Sequence, residues 1–211
     1  MVAVTSRISG RDLGSTINDI KNVLNKKLNL PTGVTLEYGG TFKTQQESFL
    51  GLLKVLLAAS MLVILVMVFE FEKFLIPLSV YLAAILSLFG VVLALWITGI
   101  TFNISSFMGA IMMVGIVAEN SIFLAHYFFV FKKQGLDNRM AAINASVVRS
   151  RPIIMTALAA ILALMPLAFG FGAGSQMQQP LAIAVIGGFT LSSLLLLFIL
   201  PVLISAPDRK S

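Results

Sequence analysis

The sequence predicts an all-α polytopic membrane protein, built of five transmembrane helices with a small α/β segment ahead of them. Three observations carry that prediction. Hydrophobic residues fill 58% of the 211 positions and charged residues only 11%, whereas a soluble domain averages about 25% charged. Five apolar blocks are each long enough to cross a hydrocarbon core of about 30 Å, which takes about 20 helical residues. The blocks are continuous rather than alternating in polarity, which selects helices over a barrel.

Residues 1–50 read as the α/β segment. Val2, Val4 and Ile8 lie in a run that ends at Gly10 and suggests a strand. Past Gly14, Ser15 caps a helix with apolar residues at Ile17, Ile20, Val23, Leu24 and Leu28. Pro31 and Gly33 break the chain, and Val34 to Tyr38 reads as a second strand before Gly39 and Gly40. Two strands and one helix cannot bury a core by themselves, so this unit expects further segments around it.

The bundle at 51–205 divides into spans at 51–69, 74–97, 105–131, 153–171 and 181–205, with a short tail at 206–211. Between the third and fourth spans, Leu136, Met140, Ile143 and Val147 recur at spacings of four, three and four. That stripe predicts a helix at 136–148 lying in the interface before the chain turns into the fourth span, with Pro152 near the start of that span. Met108, Met112, Met113, Met155 and Met165 read as core filling. Gly170, Gly172, Gly174 and the pair Gly187 and Gly188 read as close helix contacts or loop bends.

Charge orients the bundle. Glu70, Glu72 and Lys73, then Lys132, Lys133, Arg139, Arg149 and Arg151, then Arg209 and Lys210 lie on one side, while the loops at 98–104 and 172–180 hold no charge. The positive-inside rule makes the first side cytoplasmic and leaves residues 1–50 outside. That head carries Arg7, Arg11, Lys21, Lys26, Lys27 and Lys43 with no apolar leader before it, which suggests that upstream spans deliver it.

Composition also excludes classes. Cysteine is absent, so neither disulfides nor thiolate metal sites are expected. The net charge of +6 comes from residues at membrane boundaries and in the head, a distribution that speaks against nucleic acid and for the lipid bilayer as partner. One histidine and nine acids leave no zinc-protease motif, no metal site and no serine triad, so no enzyme is expected.

One acid stands out. Glu119 lies inside the apolar run from Met112 to Ile122, where a carboxylate costs roughly 2.5–3.5 kcal/mol on insertion scales and marks ion or proton pathways. It reads either as a proton carrier or as a structural acid hydrogen-bonded to a neighbouring helix. His126 lies seven residues on, along the same helix face, and is a relay member or a polar anchor. Thr156 has a hydroxyl that can donate and accept, or simply bond to the preceding turn. Arg149 and Arg151 are placed to anchor the fourth span at headgroup level.

Three motifs now carry a resemblance. Arg149-Ser-Arg-Pro-Ile-Ile-Met-Thr156 resembles the entry to the eleventh span of resistance-nodulation-division (RND) efflux transporters. Val114-Gly-Ile-Val-Ala-Glu-Asn-Ser-Ile122 is similar to their tenth span, and Gly172-Ala-Gly-Ser-Gln-Met-Gln-Gln-Pro-Leu181 through Ile186-Gly-Gly188 to the start of the twelfth. Gly10-Arg-Asp-Leu-Gly14 and the Leu-Pro-Thr-Gly stretch at 30–33 resemble the end of the periplasmic porter domain.

The resemblance implies a multi-pass inner-membrane permease, a proton-driven antiporter that exports cations, heavy metals or drugs from a Gram-negative cell. This chain would be spans eight to twelve and the last part of the porter domain. Implied partners are the N-terminal half with its aspartate pair, two further copies in a homotrimer, a periplasmic adaptor and an outer-membrane channel. No cofactor is implied beyond the proton as coupling ion. Glu119 falls where drug-exporting members have a lysine, next to Asn120, and Thr156 matches a relay threonine. Glu119, Asn120, Thr156 and His126 are therefore the relay candidates, with Arg149 and Arg151 as cytoplasmic anchors or relay members. The Gln-Met-Gln-Gln-Pro-Leu loop lies closer to the cation branch. The alternatives are a non-transporting remnant or membrane scaffold from a truncated or split gene, and a translocation or sterol-sensing type of subunit, which would lack the three motifs.

Overall fold

The computed structural model describes residues 4, 13–27, 36, 41–71, 75–172 and 174–205. Two compact units divide within one helix, the first covering Met1–Gly51 and the second Leu52–Ser211. In the first unit, α1 runs over Leu13–Lys27, where the sequence places a helix. No strand occurs among the described residues. The two expected strands lie outside the described residues except for Val4 and Leu36, neither of which is in one. The α/β part of the predicted fold class is thus unsupported: apart from Val4 and Leu36, what is described of residues 1–50 is helical.

Among the described residues, five helices are long and apolar enough to cross a membrane: Gln46–Phe71, Ile76–Thr98, Ile104–Lys133, Asn138–Ala168 and Ser175–Ser205. They belong to α2 (Thr41–Phe71), α3 (Leu75–Thr98), α4 (Ile104–Lys133), α5 (Asn138–Ala168) and α6 (Ser175–Leu194), the last continuing through a π turn at Leu195–Ile199 into α7 (Leu200–Ser205). In the π turn the amide of Leu200 donates to the carbonyl of Leu195, five residues back. Pro201 follows immediately and has no amide to donate.

One difference from the sequence reading is structural. The interfacial helix expected at 136–148 and the fourth span are a single 31-residue helix, α5, with no turn between them and with Pro152 and Pro166 in its interior. Pro152 does not break it because proline forfeits one bond without forbidding helical φ. Thr156 Oγ1 donates to the carbonyl of Pro152 at 3.0 Å.

The connections after α3, α4 and α5 are closed by the same local device. After α3, α4 and α5 a glycine takes up positive φ, at Gly99, Gly135 and Gly170. Apolar residues Ile100, Leu136 and Phe171 follow and donate back to Leu95, Phe131 and Pro166. These are Schellman closures, which satisfy carbonyls that neither lipid nor helix could otherwise satisfy. At the other end of one loop, Asn103 caps α4 by accepting from the Ser106 amide at 3.0 Å, while Ser106 Oγ accepts from the Asn103 amide at 2.8 Å.

α6 is the hub of the second unit, packed against α3, α4 and α5. Lipid tails are as apolar as leucine, so helices in a bilayer associate through close contact. α6 achieves it with small residues. A Cβ at Gly187 would lie 2.5 Å from the carbonyl oxygen of Gly90 and would collide with Ala94, and one at Gly109 would lie 3.0 Å from the carbonyl of Leu181. Ala182 and Ala184 are fully buried. By contrast, α2 is mostly uncovered. Ser60, Val63 and Met67 face Val80 and Ala84 of α3 and Val114 and Ala118 of α4 across a small cavity, and Phe71 stacks on Phe129 at 5.6 Å.

Replacing Gly187 with leucine forces α3 and α6 apart, and unfolding of the purified chain in detergent should show a loss of roughly 3 kcal/mol, the upper range for overpacking. Gly115→Ala, where nothing lies within 4 Å, should change stability by less than about 0.5 kcal/mol.

Candidate functional site

α4 has two unlike faces. One is buried against the bundle and carries Ser106, Ala110, Met113, Val117, Ser121, Leu124 and Phe128. Its buried hydroxyl at Ser121 donates to the carbonyl of Val117 at 2.6 Å, so it asks nothing of its neighbours. The other face is a row of uncovered residues: Met108, Met112, Gly115, Glu119, Phe123 and His126. Successive steps of three or four residues keep that row on one side of the helix.

Glu119 sits in the middle of the row, exposed, with no hydrogen bond or ion pair among the described residues. Asn120 is half-buried, and its Nδ2 donates to the carbonyl of Ile116 at 3.2 Å. His126 is exposed at the far end of the row and meets Tyr127 edge to face at 6.2 Å. It lies about 10 Å from Glu119 along the axis, by the helical rise.

The companion residues come from α5. The Arg149 guanidinium stacks over the ring of Phe123, 4.7 Å from its centroid, a cation–π contact with its own attraction. Arg149 Nε is buried and has no hydrogen-bond partner. That stack fixes the register of the antiparallel pair: seven residues further along α5, Thr156 comes level with the middle of α4, within about one helical turn of Glu119 in depth. Thr156 is exposed, and its hydroxyl already bonds back to Pro152 and Ile153. Arg151 is exposed on another side of α5. The structure thus brings Glu119, Asn120, Thr156 and Arg149 to neighbouring levels of one helix pair, with His126 one level beyond and Arg151 turned away.

Phe123 and three methionines escape a reading by sequence alone. Phe123, which seats Arg149, sits in an apolar run where nothing marks it. Met108 and Met112, read as core filling, are about half exposed, at 48% and 49%, and Met155 is more exposed still, whereas Met113 is fully buried. A signal was available in the steps of four, three and four residues from Met108 through Met112 and Gly115 to Glu119, but hydropathy alone does not separate the faces of a helix that is apolar all round. No group of three or more His, Asp or Glu side chains suited to a metal occurs among the described residues.

An uncovered carboxyl at mid-membrane is unstable against bare lipid by roughly 2.5–3.5 kcal/mol, so the row calls for a polar or ionisable surface against it. Glu119, Asn120 and Thr156 offer one carboxyl, one amide and one hydroxyl to such a surface. This set can accept and release a proton and has no nucleophile placed beside a base.

Comparison with known proteins adds the rest. A family model described as the AcrB/AcrD/AcrF family matches residues 1–206. The cobalt-zinc-cadmium resistance protein CzcA of Cupriavidus metallidurans is 32% identical over 99% of this chain and 20% of its own length. The nickel and cobalt resistance protein CnrA of the same organism is 34% identical, over 96% and 19% respectively. The swarming motility protein SwrC of Bacillus subtilis is 34% identical over 94% and 19%. A crystal structure of a heavy metal efflux pump superposes with a TM-score of 0.83 at 29% identity, over 96% of this chain and 20% of that one. The chain spans about a fifth of the length of the curated relatives it matches.

The absence of cysteine makes the row directly testable. Single cysteines at Met112, Gly115 or Glu119 should react with a maleimide in detergent at least about tenfold faster than cysteines at Met113, Val117 or Ser121, since reaction at the buried face requires local opening. Equal rates on both faces would remove the row.

Proposed function

The chain belongs to the AcrB/AcrD/AcrF family, and from that membership we propose that it supplies spans eight to twelve and the end of the porter domain to a proton-driven permease exporting heavy-metal cations. The cation assignment follows the names of CzcA and CnrA and the heavy metal efflux pump that shares the fold. A single observation carries the coupling: Glu119, midway along the uncovered row of α4, has no polar partner among the described residues.

The mechanism follows from the residues. The row is covered by the rest of the transporter, which excludes water around Glu119. A carboxyl in that setting is compatible with its surroundings while protonated, and on losing the proton it gains a charge that the covering helices must meet. Each protonation state therefore favours a different arrangement of the cover, which is what coupling requires. Asn120, next in the chain, and Thr156, within about one helical turn in depth, carry groups that donate and accept. His126, on the same row toward the positively charged side, continues the proton path, and Arg149, held on Phe123, supplies a fixed positive charge one turn away. Arg151 anchors α5 at the headgroups. No cofactor takes part besides the proton.

By the charge rule the N-terminal segment is periplasmic and the C-terminus cytoplasmic, in the inner membrane. The working assembly is a homotrimer joined to a periplasmic adaptor and an outer-membrane channel.

Glu119→Gln, in the transporter as it operates in its host, should lower metal efflux by about a hundredfold, the scale of losing a positioned proton-transfer group, at unchanged membrane abundance. Efflux equal to the parent's rejects Glu119 as the carrier. The competing reading, a membrane scaffold that does not transport, predicts instead that deleting the whole gene leaves metal tolerance unaltered.

A further inference from the structure

α4 carries one acid, Glu119, and α5 carries none. The cation that the register of the two helices places beside it is Arg149. Arg149 is half-buried, yet none of the groups that ordinarily hold an arginine meets it among the described residues. Its Nε is buried without a hydrogen-bond partner, and no carboxylate pairs with its guanidinium. Ser146 and Ser150, on either side of it in α5, turn their hydroxyls back to the carbonyls of Ala142 and Val147.

A buried donor left unanswered is costly, and an arginine near a membrane boundary has an escape, extending along its aliphatic stem until the head meets water. The helix fixes the direction of that escape. Side chains lean toward the N-terminus of their own helix, which for α5 is the end of the hairpin that carries Lys132 and Lys133. Phe123 acts against it. Its ring centroid lies 4.7 Å from Cζ of Arg149, within the range where a ring face attracts a cation. Phe123 follows Glu119 by four residues on the same row of α4, and by the same rule its side chain leans over the turn that begins at Glu119. The ring is 45% exposed and stands outside the apolar core of the unit, so core filling does not account for it.

We infer that Phe123 is a positioning residue for the proton step: its ring keeps the Arg149 guanidinium one turn from Glu119 and prevents its withdrawal to the aqueous end of the hairpin. The inference rests on the reading of Glu119 as the proton carrier. A cation at that distance meets the charge that Glu119 gains on releasing its proton, and its withdrawal leaves that charge unanswered on the two helices. What the ring contributes is its face. Leucine fills part of the same space without a quadrupole, whereas tyrosine and tryptophan retain one.

The seat is measured on the full chain in nanodiscs by the exchange of the Arg149 Nε proton with water, its signal assigned by loss in Arg149→Lys. Phe123→Leu should speed that exchange at least about tenfold, and Phe123→Tyr should leave it within about twofold of the parent. Equal exchange in the parent and the leucine variant overturns the seat. The role is measured as cobalt efflux by the transporter in its host. Phe123→Leu should lower the maximal rate about tenfold, at unchanged abundance and unchanged half-saturating cobalt, and Phe123→Trp should keep at least about half of the parental rate. A leucine variant at the parental rate overturns the role, as does an equal loss in both variants, which reduces Phe123 to shape. Glu119→Gln, measured alongside, separates the two readings. Slow efflux there beside an unimpaired leucine variant removes the role of Phe123 alone, whereas parental efflux in both removes the proton carrier as well.

Discussion

The contact between the backbones of α3 and α6 at Gly90 and Gly187 governs the rest of the bundle. In a bilayer the solvent offers no hydrophobic penalty for separating two apolar helices, so what holds them is the number of atoms brought to van der Waals distance. Glycine on both sides lets the two axes approach until carbonyl oxygen meets Cα. Once α6 is fixed to α3, Gly109 and Ala184 bring α4 against it in the same way, and α5 closes the third side. The order of contacts decides which face of α4 is spent on packing. Its small and serine residues go inward, and Met108, Met112, Glu119 and His126 are left on the outside.

That division explains how much could be read from the sequence. The number and approximate limits of the spans follow from length and polarity, since a run without charge has few other fates. Glu119 was visible for the same reason, as an exception to its surroundings. The sidedness of α4 was not. A soluble helix announces its buried face by hydropathy, whereas here Met113, Leu124 and Phe128 lie inward and Met108, Met112 and Phe123 outward, so neither bulk nor hydropathy separates the two sides. The fusion of the interfacial segment with the fourth span was hidden by Pro152 and its two arginines, which read as a boundary. In the structure they mark a change of environment along a helix that does not stop. Arg149 was legible as a charge at the membrane edge but not as a residue stacked on Phe123, because that pairing depends on the register of two helices twenty-six residues apart in sequence at that point.

The relatives set the scale of the reading. They are five times longer than the chain that matches them, and the agreement of fold with a heavy metal efflux pump extends over nearly all of this chain. The uncovered row on α4 and the lightly packed α2 are therefore surfaces of a different kind from the inner faces of α6. They are apolar enough for lipid, yet one of them holds a carboxyl and a histidine that lipid does not accommodate. Under the proposed function that surface meets groups of the transporter that answer it, and the energetics of the carboxyl make the match a condition of stability as well as of activity.

The π turn at Leu195–Ile199 has a consequence for the register of the last helix. It holds one residue more than an α-helix of the same rise would, so the chain beyond it is rotated by about 100° relative to an uninterrupted helix. Upstream, the inward residues of α6 include Ala182, Ala184 and Gly188, suited to close helix contact. Downstream they are Leu200, Pro201 and Ile204, large enough to fill space beside α5. The extra residue is the phase shift that joins these two faces into one continuous inner wall. A chain one residue shorter at this point would keep every side chain in sequence and present Leu200 and Ile204 to the wrong neighbours, so the turn acts as a spacer in angle rather than in length.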